Sequence, residues 1–200
     1  MADDHLFQRI HQLRLRNADG SHFVPEAALK REILGPEARE HIRTAIRGSG
    51  VEFHMEEEAL NSIMQGGQKV FAILVLTNNV HYLRNFIEAD GFQRTGWDGR
   101  LPLQESHVES IIPCSTDSIK FYETQWEFLA PVFGGDRSHR QLHDRVVLPF
   151  IKDEYLAEGG FGKISKVSLP RGHHKMGAGY DSGSEVSHTS QFFHHFPTCH

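Results

Sequence analysis

Gly159, Gly160 and Gly162 crowd around Phe161 in the phrase YLAEGGFGKISKV, which runs from Tyr155 to Val167. The chemistry that such a cluster serves is the holding of phosphate. A phosphate turn needs backbone amides pointing inward and no side chain that blocks close approach, and glycine meets both needs. Residues enriched in Val and Ile flank the glycines on both sides. The pattern predicts a β-hairpin with strands near 153–158 and 162–169. A tight hairpin turn without any ligand has the same appearance, and the loop alone leaves both readings open. No G-K-[ST] follows the glycines, so this is not a Walker-type loop.

Other reactive groups point to less. Fifteen histidines thicken toward the C-terminus, where His194, His195, Cys199 and His200 cluster, with His173 and His174 upstream. Structural zinc sites want paired ligand spacings separated by a loop, and HHFPTCH carries one half of that arrangement. No metal site is expected. His41, His54 and His81 fall on helical stretches and read as surface or capped residues. Glu56, Glu57 and Glu58 stand at a helix start, where they complement the dipole rather than form an acid–base pair. Cys114 and Cys199 make no disulfide framework, and neither has a positioned histidine beside it in sequence.

The elements that must carry the hairpin begin with helices. Leu6, Ile10 and Leu13 recur at helical spacing. Pro25 and Pro36 stand at first helical positions, ahead of the stripes Ala28, Leu29, Ile33 and Ala38, Ile42, Ala45, the second ending at Gly48. MEEEALNSIMQGG is a further helix that stops at Gly66-Gly67. The apolar run Val70–Leu76 fits a buried strand or a buried helix, and its helical neighbours favour the helix. Val80, Leu83 and Ile87 complete a small bundle around it. The reading is a mainly α chain: an N-terminal helical bundle, then a small β-hairpin and a disordered tail. Its parts are a helical unit at 1–90, a connector at 91–145, the glycine-loop segment at 146–176 and the tail at 177–200. The connector contains Phe121, Tyr122, Trp126, Phe128 and Phe133, read as core material tying two units together.

The bulk properties exclude several classes. A formal charge of -5, with Lys and Arg scattered, argues against nucleic acid as a partner. The acidic start MADDHLFQ is no secretory signal, and Val70–Leu76 is too short to span a bilayer. The expectation is a cytoplasmic or nuclear protein that is not secreted and has no membrane partner.

The glycine phrase is similar to the protein-kinase pattern G-x-G-x-x-G-x-V. Ala157, Gly159 and Gly162 stand in the three glycine places and Ile164 in the valine place, with Phe161 at the tip. The wider order of phrases, from KVFAILVLTNNVHYLRNFIEADGF through QWEFLAPVF to VVLPFIKDEYLAEGGFGKISKVSLPRGHHKM, resembles fungal serine/threonine-protein-kinase-like proteins. The resemblance covers roughly residues 69–176 and implies the start of a kinase N-lobe, in a truncated form. It implies ATP as a ligand, with Mg only alongside ATP. Leu156 and Ile164 would cover the adenine, and Gly159, Gly160, Phe161 and Gly162 would fold over the phosphates. Ala157 departs from the pattern and weakens that implication.

Phosphoryl transfer also needs a strand lysine, a catalytic aspartate and metal-binding residues. The chain has no V-A-I-K, H-R-D or D-F-G. Lys175 lies about where the strand lysine would fall, without an apolar strand around it. Lys166 is on the strand directly after the loop and cannot substitute. His139, Arg140 and Asp144 precede the loop and cannot form the catalytic loop. No catalysis is expected of this chain alone. The alternative is a non-catalytic helical module that binds a protein partner, with a vestigial glycine hairpin.

Overall fold

The computed structural model describes residues 4–89, 96–134, 141–159, 162–175 and 186–190. The chain divides into two compact units. One comprises Met1–Leu15 and Val24–Leu129, the other Arg16–Phe23 and Ala130–His200. Each is assembled from two separate stretches of sequence.

The first unit is helical. It contains α1 (Asp4–Gln12), α2 (Glu26–Ile33), α3 (Ala38–Gly48), α4 (Glu56–Met64), α5 (Gln68–Leu76), α6 (Leu83–Glu88), α7 (Glu105–Ile111) and α8 (Ser115–Thr124). The apolar stripes do what their spacing predicts. Leu6 and Ile10 of α1, Leu29 and Ile33 of α2, and Ala38, Ile42 and Ala45 of α3 are all buried. The ambiguous run Val70–Leu76 is helix, and Val70 through Val75 are all buried. No single stripe would serve here, because α1, α2, α4 and α8 all pack on α5.

A helix start buried in this way needs partners for its first amides. Gly67, at the N-cap of α5, has no side chain to offer. Asp98 supplies the partner from beyond α6. Its carboxylate accepts from the Lys69 amide at 2.9 Å on each oxygen and from the Val70 amide at 3.0 Å. The Asp98 amide in turn donates to the Gly66 carbonyl at 2.8 Å. Burial pushes the Asp98 carboxyl above the usual carboxylate range, against the pull of those amides. Trp97, fully buried beside it, explains Gly67: a Cβ there would lie 2.8 Å from the Trp97 ring and 2.9 Å from the Ser62 carbonyl oxygen.

The segment read as a connector is therefore largely core. Trp97, Leu103, Val108, Ile111, Ile112, Phe121 and Phe128 join the helical unit's apolar cluster. The signal was weak because α7 has seven residues and buries only Val108 and Ile111. Leu103 is held as though by a strand, its amide donating to Gln125 Oε1 at 2.8 Å and its carbonyl accepting from Gln125 Nε2 at 3.1 Å. Arg14 makes a two-pronged pair with Glu127, 2.7 Å on both arms. The aromatic segment divides at the unit boundary, since Phe133 belongs to the second unit.

The second unit is built on strands. β1 (Leu15–Arg16) pairs with β2 (His22–Phe23), and β3 (Phe133–Gly134) lies later in the chain. Then β4 (Lys152–Gly159) and β5 (Gly162–Leu169) form the antiparallel hairpin. β6 (His174–Lys175) pairs parallel with β3. β7 (Val186–Ser190) pairs antiparallel with β5, giving the order β4-β5-β7. β7 falls in the stretch expected to be a disordered tail, so that expectation is corrected for these five residues. They gain order by completing a ladder on the edge of β5 that β4 leaves open.

A small apolar cluster of Phe150, Val167 and Leu169, with Phe133 and Leu148 against it, holds this unit. Phe133 stacks on Phe150 with ring centroids 5.8 Å apart. The turn between β1 and β2 clamps the approach to β4. Asn17 Nδ2 donates to the Leu148 carbonyl at 3.1 Å, and the Ala18 amide donates to the Phe150 carbonyl at 2.7 Å. Gly20, at φ +88, supplies the left-handed residue the turn requires. His173 is buried, with Nδ1 2.9 Å from the Pro131 carbonyl oxygen and its ring edge-on to Phe23.

Two outcomes follow for stability. Asp98→Ala orphans the first amides of α5 and should lower unfolding free energy by about 1–2 kcal/mol, with Asp98→Asn costing less because its oxygen still accepts. Urea titration of both variants measures this. Glu26, bonded to Lys30 at 2.6 Å and to Lys69 at 3.0 Å, is held at a pKa of about 2, below the usual 4.5, by the Lys30 contact first and then by Lys69. A depressed folded pKa stabilises above the unfolded value and is lost below it. The Glu26 contribution should thus be complete above pH 4.5 and fade between 4.5 and about 2. Urea midpoints followed across that window should fall more steeply in wild type than in Glu26→Gln.

Candidate functional site

The candidate site is the end of the hairpin. Gly159 ends β4, Gly162 begins β5, and the two are partners in the ladder. Gly160 and Phe161, between them, lie outside the described residues, as do His139, Arg140, His194, His195, Cys199 and His200.

The register contains one irregularity, and it falls at a predicted site residue. Tyr155 pairs with Ser165 and Ala157 pairs with Ile164, so Leu156 is an extra residue in β4. Such a bulge re-aims side chains and increases the local twist. Without it, successive residues would alternate between faces. With it, Ala157 changes face, and Leu156 and Ala157 both lie opposite Ile164. The opposite face of β5 carries Val167, 1% exposed, and Leu169, which pack on Phe150. Leu156 is 47% exposed, Ala157 is exposed and Ile164 is half-buried. The bulge therefore gathers three apolar residues beside the glycines on the face away from the core. The kinase resemblance singled out Leu156 and Ile164, but the bulge that joins them leaves no mark in residue spacing.

The lysines separate. Lys166 pairs with Glu154 across the ladder, on the strand directly after the loop. Lys175 is in β6, which belongs to the two-stranded pair with β3 and not to the sheet of the hairpin. The third strand of that sheet is β7, and its residues Val186, Ser187, His188, Thr189 and Ser190 include no lysine. Asp144 is exposed, in a turn where the Arg145 amide donates to His143 Nδ1 at 3.2 Å.

Among the described residues no three His, Cys, Asp or Glu side chains converge on a point that would hold a metal ion. Among the same residues no helix is long and apolar enough to cross a membrane. In the helical unit an open depression is lined by Asn85, Glu88, Ala89, His107, Ser110 and Ile111. Asn85 Nδ2 donates there to the Ile111 carbonyl at 2.6 Å, so that amide ties α6 to α7. No protein-family model, curated protein or solved structure matches the chain.

The two faces of the hairpin should respond differently to truncation. Leu156→Ser should change unfolding free energy by no more than about 0.5 kcal/mol, as an exposed position does. Val167→Ala removes two buried methyl groups and should cost about 2 kcal/mol. Equal losses in chemical denaturation would mean that the Leu156 face is covered.

Proposed function

We propose that the β4–β5 hairpin is a glycine-rich nucleotide-binding loop of the protein-kinase type, carried by a chain that does not itself transfer phosphate. The observation that carries the reading is the bulge at Leu156, which places Leu156 and Ala157 opposite Ile164 beside the paired glycines Gly159 and Gly162. A kinase loop uses an apolar lid for the base and glycine backbone for the phosphates, flanked by antiparallel strands. The order β4-β5-β7 supports the same reading, because the third strand lies beside β5, where the kinase lysine strand belongs. The missing lysine in β7, together with the missing H-R-D and D-F-G phrases, is the ground for assigning no phosphoryl transfer. On this reading the ligand is ATP, and the chain is kin to the serine/threonine-kinase-like proteins, with a cytoplasmic or nuclear location.

The helical unit supports a second role as a protein-binding module. Phe53 is 85% exposed in the 3₁₀ turn ahead of α4, beside the Glu52–Arg84 ion pair and the Glu52–His54 contact. An aromatic side chain left in water is a frequent anchor for a partner.

ATP at ten times its Kd should stabilise the protein by about 1.4 kcal/mol, read as a rise in melting temperature. Gly159→Val should remove that rise, because a branched side chain at the loop keeps the nucleotide from approaching the hairpin backbone. An unchanged melting temperature of wild-type protein in saturating ATP would sink the nucleotide reading and leave the helical module.

A further inference from the structure

We infer that the hairpin recognises the adenine nucleoside part of its ligand, holding it without magnesium and without preference for the number of phosphates. The inference rests on the nucleotide reading above and sharpens it. In kinases the lysine on the third strand pairs the α- and β-phosphates and metal ions bridge the β- and γ-phosphates, so both favour ligands with more phosphates. The residues of this chain do not fit that arrangement. The third strand, β7, offers Val186, Ser187, His188, Thr189 and Ser190, and Lys175 lies in another sheet. The described residues contain no convergent set of metal-binding side chains.

The hairpin's own charge adds no selection for a polyanion. From Lys152 to Leu169 it carries three lysines, Lys152, Lys163 and Lys166, against Asp153, Glu154 and Glu158. Glu158 stands immediately before Gly159, close in sequence to where phosphates would pass. What the hairpin does offer is apolar surface. Leu156 and Ala157, both exposed, lie opposite the half-buried Ile164, and that apolar patch suits the flat face of a purine. Binding of this kind depends on burying the base and changes little with each added phosphate.

Isothermal titration of the full chain with ATP, ADP, AMP and adenosine, each with magnesium and with EDTA, tests this. The expected result is affinities for the four within about threefold, unchanged by EDTA, which is less than 1 kcal/mol of discrimination. Leu156→Ser, at an exposed position, should weaken all four alike by about tenfold while the circular dichroism spectrum stays that of wild type. Magnesium-dependent ATP binding at least tenfold tighter than AMP binding would overturn the inference and leave the nucleotide reading standing. No binding of any of the four would overturn both.

Discussion

The helical unit depends on how the first turn of α5 is satisfied. A helix apolar on every side packs well at the centre of a bundle, yet its leading amides are then cut off from water. Gly67 admits the close approach of Trp97 but brings no capping group. The carboxylate of Asp98 closes the account, and the Asp98 amide returns a bond to Gly66. One dipeptide thus fills the space beside the α4–α5 turn and satisfies the buried helix end. The bonds of Asp98 also tie the stretch that begins at Gly96 to the start of α5. From there Leu103 and Gln125 carry it to α8 and to the pair of Glu127 with Arg14.

The second unit solves a different problem with fewer apolar residues. Its cluster of Phe150, Val167 and Leu169 is small, and a two-stranded hairpin alone is marginal. Two additions compensate. β7 occupies one edge of β5, and the turn containing Asn17 holds the strand approach at Leu148 and Phe150. The core covers the Val167 face, while Leu156 and Ala157 at the bulge are exposed.

Much of the helical unit was legible in its apolar spacing. The stripes of α1, α2 and α3 are local, and so is the choice of helix for Val70–Leu76 once its neighbours are helical. The Asp98 cap was not legible, because a carboxylate 29 positions from the amide it serves leaves no periodic trace. The burial of Trp97, Leu103, Val108 and Ile111 was not legible for a related cause: α7 and the turns around it bury residues singly, without a stripe, whereas the aromatics Phe121, Trp126 and Phe128 are core as expected. The Arg16–Phe23 hairpin had a signal in Asp19-Gly20, a common turn pair, although the strands beside it are two residues each. At the candidate site the glycines and the hairpin were legible, while the bulge at Leu156 was not, since register belongs to the pairing of two strands. β7 was hidden by its small, polar composition. Its strand form depends on the β5 edge more than on its own residues.

The discontinuity of both units constrains how the protein is made. Asn17 and Leu148, which bond in the finished unit, are 131 positions apart. During synthesis from the N-terminus, the Arg16–Phe23 turn emerges long before the segment it clamps exists. It must wait while the helices on either side of it in sequence assemble. The helical unit is under the mirror-image constraint, since Arg14 finds Glu127 only after the intervening 112 residues have been added. The helical unit has all its residues once Leu129 has been added, whereas the strand unit waits for the segment that starts at Ala130. Closing such long loops is slow compared with forming the local helices.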